Sequence, residues 1–440
     1  MHQTNSVNTT TKTRTPPRGY GSVQTGSDYN DTSFTAYKKP HLEIETQMLQ
    51  AQYSAADFDD ESRMIVDLVT KFVDQELMPL EPGVLEREIK GEHLHLTSDE
   101  EKTLTAKCKE LGLWALDAPE EFGGINLSSV TLMAINEEIG RTVTPFTFPP
   151  DSPNLHMLMA TATESQRKKY LEPYAQGTAK SAIAISEPQA GGDPTGMLTR
   201  AEKDSDQWVL NGRKIWVSRV PAADFIVAMA RVGSGKGHEG ITAFIIDKGT
   251  KGFEILREIP MLAGHRTYEL AFEDCRIPAE NILGEIGAGF APMQLRLNIR
   301  RLQMGAWCLG MCRRAMEMMM SHAKQRTTFG ALLADRQAIQ WWVADAAMKM
   351  HACRLMVHDA ARKQDRGEDI RMEASMIKVY ATEMAAEVID HAMQTFGAMG
   401  VTKELPLHLM AQRARVMRVY EGPSEVHRMS IARRLFKTVK

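Results

Sequence analysis

The 440-residue sequence predicts an α+β protein in which a helical domain, a β-domain and a helical bundle follow one another. Three observations predict it. From Phe58 to about Gln176, apolar residues recur at three-and-four spacing, the period of a one-sided helix. From Ser181 to about Gly284 the period shortens to β-prone runs separated by turns containing Gly, Pro or Asp. After Phe290 the helical period returns and persists to the end. The expected boundaries are a disordered tail over 1–50, an all-helical domain over 51–179, an antiparallel β-sandwich or barrel over 180–284, and a four-helix bundle over 285–440.

A chain of this length exceeds one ordinary core. Its 43% hydrophobic and 25% charged residues are ordinary for a globular protein. A formal net charge of −3 gives no electrostatic case for nucleic acid or an anionic membrane. No apolar run reaches the roughly 20 residues that span a bilayer, so no integral membrane segment is expected. The expected location is cytoplasmic, or the mitochondrial matrix should the tail be a transit peptide. Five scattered cysteines (Cys108, Cys275, Cys308, Cys312, Cys353) read as reduced thiols, and no metal site is expected.

The elements follow in order. The tail is rich in Thr, Ser, Asn and Gly and shows no apolar period. Ile65, Leu68, Val69, Phe72, Val73 and Leu77 then form one helical stripe. Thr97-Ser98-Asp99-Glu100 is a capping box opening another helix, with Gly112 as its stop. In the middle domain, Trp208-Val209-Leu210 and Ile215-Trp216-Val217 flank Asn211-Gly212, which predicts a hairpin turn. Further strands are expected at 225–230, 241–246 and 268–272, with no helices between them to build a parallel sheet. Four long helical periods close the chain, over 292–326, 335–366, 373–396 and 406–419. Clustered Met316, Met318, Met319 and Met320 predict adaptable packing between helices or subunits.

Three stretches carry candidate chemistry. The loop from Ile185 to Asp193 is glycine-rich, so its N–H groups are able to approach an anion or a ring closely, although such loops also serve as plain turns. In a strand, Trp216 and Ser218 share a face and are placed to meet one flat ligand; the alternative is a packed indole beside a satisfied hydroxyl. Glu421 precedes Gly422-Pro423 between two helical runs, which displays a carboxylate on a tight corner, as a base or as a solvated cap.

These stretches resemble the acyl-CoA dehydrogenase family over about residues 60–436. The shared motifs, in order, are PEEFGG (119–124), SEPxAGxD (186–193), NGxKxWVS (211–218), FEDCRIPAENILG (272–284), GAGF (287–290), RTTFG with Gln337, QTFGAMG (394–400) and YEGPSEVHR (420–428). The branch with a C-terminal Gly-Pro-x-Glu-Val-His motif is the most similar, with Tyr420-Glu421 standing where that branch carries an aspartate base. The resemblance implies an FAD enzyme in which Glu421 removes a thioester α-proton while the β-hydride goes to flavin N5. It implies flavin contacts from Ser186, Trp216, Ser218 and Glu425, and contacts to the ADP half of FAD, across a subunit interface, from Arg326, Phe329, Gln337, Gln394 and Gly397. Arg301, Arg300 and Gly422 are the implied substrate-side residues. The implied partners are an acyl-CoA substrate, an electron-transfer flavoprotein and further copies of the chain, as a homodimer or homotetramer. Arg300 stands one residue before Arg301, where some members carry their base. It reads either as a solvated arginine or as one that enters the acyl pocket and neutralises an anionic acyl group, which demands a partner. An acyl-CoA oxidase or a β-elimination lyase on the same scaffold, and a non-catalytic flavin or CoA scaffold, are the competing readings.

Overall fold

The computed structural model describes residues 58–235 and 237–439. The tail expected over 1–50 lies outside the described residues. The first helices are α1 (Asp60–Phe72), α2 (Glu81–Lys90), α3 (Ser98–Glu110), α4 (Ser129–Gly140) and α5 (Ser152–Thr161). Short α6 (Glu164–Gln166) and α7 (Glu172–Ala175) follow, joined by a π-helical turn over Arg167–Leu171. The stripe buries Val69 and Phe72 of α1 and continues through Val73 and Leu77. At α3, Thr97 accepts from the Glu100 N–H, and the Glu100 carboxylate accepts from the Thr97 N–H at 2.7 Å, completing the capping box. α4 is buried on nearly all sides, its polar Asn136, Glu137 and Glu138 included.

The middle domain has strands β1 (Ser181–Ala184), β2 (Arg200–Asp204), β3 (Gln207–Ser218), β4 (Phe225–Arg231), β5 (Ile241–Asp247), β6 (Phe253–Pro260), β7 (Arg266–Pro278) and β8 (Ile282–Leu283). They form one sheet in the order β6-β7-β3-β2-β4-β5-β8, with β1 beside β4. Two expectations are corrected here. The sheet is mixed, because β1 and the end of β2 pair with β4 in parallel. The glycine-rich loop and the β2–β3 hairpin intervene between β1 and β4, and that length of chain permits a crossover without a helix. Asn211-Gly212 makes no hairpin turn; both flanking runs belong to β3, and the turn is at Ser205 and Asp206. Gly212 instead sits at a bulge against β7, where an added Cβ would lie 2.5 Å from Thr199. The Asn211 side chain accepts from the Asp274 N–H at 2.9 Å.

The C-terminal helices are α8 (Phe290–Gln325), α9 (Gln337–Asp365), α10 (Arg371–Phe396), α11 (Leu407–Met417) and α12 (Ser424–Phe436). A two-stranded hairpin, β9 (Thr327–Thr328) and β10 (Ala331–Leu332), links α8 to α9. α4 and α8 touch backbone to backbone: a Cβ on Gly310 would fall 2.0 Å from the Glu137 carbonyl oxygen. At the same crossing, buried Arg313 pairs with Glu138 at 2.6 Å, and Arg354 pairs with Glu137 at 2.7 Å. One apolar core therefore joins α2 and α4 to the bundle.

Candidate active site

α11 ends at the corner that holds Glu421. Glu421 has φ 56° and Gly422 φ 95°, so two consecutive residues occupy the left-handed region. This is costly for glutamate and free for glycine. Pro423 then opens α12. A Cβ on Gly422 would lie 2.8 Å from His427 Nε2, so glycine is also required by contact. The Glu421 carbonyl turns inward and accepts from Arg301 Nε at 3.1 Å and from the His427 ring at 3.1 Å. Its own N–H makes no hydrogen bond among the described residues, which leaves a donor beside its carboxylate. Burial, then the Arg301 charge, hold His427 down at about 4, so its imidazole is neutral.

The carboxylate itself is gripped by a residue that the motifs did not single out. Arg296 Nη1 lies 3.1 and 3.4 Å from the two Glu421 oxygens. Arg296 Nε donates to Asn154 Oδ1 at 2.9 Å, and Asn154 Nδ2 donates to Ser181 Oγ at 3.0 Å. This line of bonds runs from β1 through α5 and α8 to the corner and ties all three domains to one side chain. The available signal was the run Arg296-Leu297-Asn298-Ile299-Arg300-Arg301, which sets Arg296 and Arg300 four apart on one helix face.

Arg300 is buried and has a protein partner, Asp151. It also donates to Gln303 Oε1 at 2.9 Å and lies over the Trp307 ring, 5.3 Å from its centroid. Burial alone would raise the Asp151 carboxyl; the Arg300 and Arg219 charges outweigh it and hold Asp151 well below the usual carboxylate range. Arg300, Asp151, Gln303 and Trp307 line a cavity of about 40 Å³ together with Pro149, Pro150 and the α4 side chains Ile135 and Asn136. The proline-rich stretch between α4 and α5 is thus one wall of it.

On the β-domain side, the register of β3 shifts between Lys214 and Val217, and Trp216 adopts φ 62° with its indole half-exposed. Ser218 Oγ is 2.9 Å from His265 Nε2, and burial followed by the Arg219 charge holds His265 at about 4. The Ser186 carbonyl accepts from the Ile215 N–H at 2.9 Å, docking the glycine-rich loop on β3. Behind them, one residue from each of two motifs forms a buried pair. Lys214 Nζ pairs with Glu187 at 2.7 Å with both side chains buried, and Glu187 also accepts from the N–H groups of Leu198 and Thr199. Gly192 faces the corner, where a Cβ would press on Val426 at 3.3 Å. An outward indole, a hydroxyl beside a neutral imidazole and a glycine-rich loop docked on the same strand form a cradle that suits a flat heteroaromatic ring. The residues present fit a flavin.

The structure brings Glu421, Gly422, Arg301 and Arg300 together, and it brings Ser186 to the strand bearing Trp216 and Ser218. Glu425 is exposed on the first turn of α12. Arg326, Phe329 and Gln337 sit on or beside the β9–β10 hairpin, and Gln394 and Gly397 end α10; all five are exposed, Phe329 fully. Among the described residues none of these five hydrogen-bonds to Ser186, Trp216 or Ser218.

A helical domain and a bundle clasping a β-domain, with a corner carboxylate opposite a flavin-shaped cradle, define a flavin-dependent oxidoreductase. The chain belongs to the acyl-CoA dehydrogenase family, whose N-terminal, middle and C-terminal domain models match residues 59–178, 182–275 and 287–436. It is 37% identical to (R)-benzylsuccinyl-CoA dehydrogenase of Thauera aromatica, over 86% of this chain and 95% of that protein. It is 33% identical to the caffeyl-CoA reductase–Etf complex subunit CarC of Acetobacterium woodii, over 86% and 99%. The butyryl-CoA dehydrogenase structure from Megasphaera elsdenii superposes with a TM-score of 0.78 at 31% identity, over 86% of this chain and 99% of that one. The protein is an oxidoreductase acting on CH–CH groups, and its cofactor is FAD.

Proposed function

We propose that this chain dehydrogenates an acyl-CoA thioester to the trans-2-enoyl-CoA, with Glu421 as the base. The observation that carries the reading is the corner itself. Its backbone is held in an unfavourable region by Gly422, Arg301 and His427, and it presents a carboxylate and a free N–H side by side. Glu421 takes the α-proton, and its N–H donates to the thioester oxygen as negative charge develops there. Arg296 and Asn154 fix the direction of the carboxylate. Trp216, Ser218 and Ser186 hold the flavin ring. FAD, when bound, supplies the acceptor for the β-hydride, so that the α and β C–H bonds break as the double bond forms.

Electrons then pass to an electron-transfer flavoprotein, a partner consistent with the Etf complex named for the Acetobacterium woodii relative. The exposed ADP-side residues, with Phe329 projecting fully, support a second copy of the chain completing that half of the site, in a homodimer or homotetramer. The named relatives act on benzylsuccinyl-, caffeyl- and butyryl-CoA, so the acyl panel for testing spans aryl, unsaturated, diacid and plain alkyl thioesters.

The test is anaerobic titration of the purified flavoprotein with that panel, for wild type and Glu421→Gln. One class is expected to bleach the flavin absorbance, at a rate about 10²–10⁴-fold lower in the variant. A yellow protein that no thioester bleaches would overturn dehydrogenation in favour of a β-elimination lyase.

A further inference from the structure

We propose that the acyl group of the substrate carries a second carboxylate, and that Arg300 and Arg296 receive it. The inference rests on the thioester reading above and names the substrate class for the same site.

The charge count at the site is uneven. Arg296, Arg300 and Arg301 of α8 bring three buried guanidiniums together, and Arg219 of the β3–β4 connection reaches Asp151 from an exposed position. Among the described residues two carboxylates pair with them: Glu421, on Arg296, and Asp151, between Arg300 and Arg219. His265 and His427 beside them are neutral at pH 7. Lys378 adds to the excess; it is fully buried, and among the described residues its Nζ has no hydrogen-bond partner. Uncompensated charge in an enclosed site is costly, and an anionic ligand removes that cost.

Donors remain as well as charge. A guanidinium carries five N–H donors. Arg296 spends Nε on Asn154 and Nη1 on Glu421, and its Nη2 makes no hydrogen bond among the described residues. Arg300 donates from Nη1 and Nη2, and its Nε makes no hydrogen bond among the described residues. The two residues are one helical turn apart on one face, and each interacts electrostatically with both Glu421 and Asp151. A thioester whose α-carbon lies at Glu421 therefore has both guanidiniums within a few bonds of its β-carbon.

The walls agree. The cavity beside Arg300 is small and lined by Gln303, Asn136, Asp151 and Thr147 as well as by apolar side chains. An alkyl tail laid there would strip polar groups of water and give nothing back. A carboxylate that reaches Arg300 Nε or Arg296 Nη2 gains donors in return.

The experiment is calorimetric binding to the FAD-loaded protein, with succinyl-CoA and glutaryl-CoA compared with butyryl-CoA and valeryl-CoA, and with the methyl ester of the succinyl-CoA carboxylate as a neutral isostere. Wild type is expected to bind the diacid thioesters at least tenfold more tightly than the alkyl ones, and esterification is expected to erase the difference. Arg300→Gln is expected to lose the preference, the affinity for the diacid thioesters falling toward that for the alkyl ones. Equal affinity of wild type for ester and acid would overturn the proposal without recourse to any variant. Equal weakening of both classes by Arg300→Gln would overturn it too, assigning the arginine to the fold or to the shared CoA part. Flavin bleaching is followed in parallel. Bleaching by alkyl thioesters without diacid preference sinks this inference alone, whereas no bleaching by any thioester sinks the reading beneath it.

Discussion

His427 donates a ring N–H to the Glu421 carbonyl from a buried position, and burial keeps that ring neutral. Its pKa is depressed to about 4 in the folded protein, against roughly 6.5 for an open histidine. Between those values the unfolded chain binds a proton that the folded chain refuses. Stability therefore falls as the pH drops from about 6.5 to about 4, by up to about 3 kcal/mol for this one group. Unfolding midpoints measured from pH 8 to 4 should be flat at the upper end and decline through that window. His427→Gln should flatten part of the decline, and an unchanged slope would remove His427 from the account. Arg296 shows the limit of reading at this scale. The motif around Glu421 is local and legible, whereas the grip of Arg296 on it spans 125 positions and depends on how α8 docks.

At the scale of the element, β3 is the informative case. Its strand character was legible in Val209, Leu210, Ile215 and Val217, but Asn211-Gly212 signalled a turn that β3 does not make. The same two residues suit a bulge, and local sequence does not state whether the next strand returns alongside or β7 pairs across. Lys214 and Glu187 were likewise just letters inside motifs until folding paired them in the core. Glu187→Gln leaves the Lys214 charge buried beside a weaker partner, which should cost about 3–5 kcal/mol of stability in denaturant unfolding. It should also loosen Ser186 from β3 and weaken FAD retention in equilibrium dialysis. A variant as stable and as yellow as wild type would show that the pair anchors nothing.

Across the whole molecule, the three-part order followed from period alone, because helical and strand spacing differ over many residues. The exposed face of α9 was not legible in that way. Trp341, Met348 and Leu355 are 60%, 63% and 59% exposed and stand seven residues apart, a seam for a facing helix. Trp341→Glu should shift the sedimentation profile to smaller species and reduce bound FAD with it. An unaltered profile would remove α9 from the proposed contact between copies.

α8 has 36 residues and, at 1.5 Å each, is a rod of about 54 Å. The arginines lie near its start, Gly310 locks it against α4 midway, and the hairpin with Phe329 follows its end. Gly310 acts as a detent: with no side chain to yield, α8 either seats in its notch or is displaced bodily. The hairpin at the far end and the aim of the arginines at the near end are thus settings of one lever, and a bulkier residue at position 310 would disturb both at once.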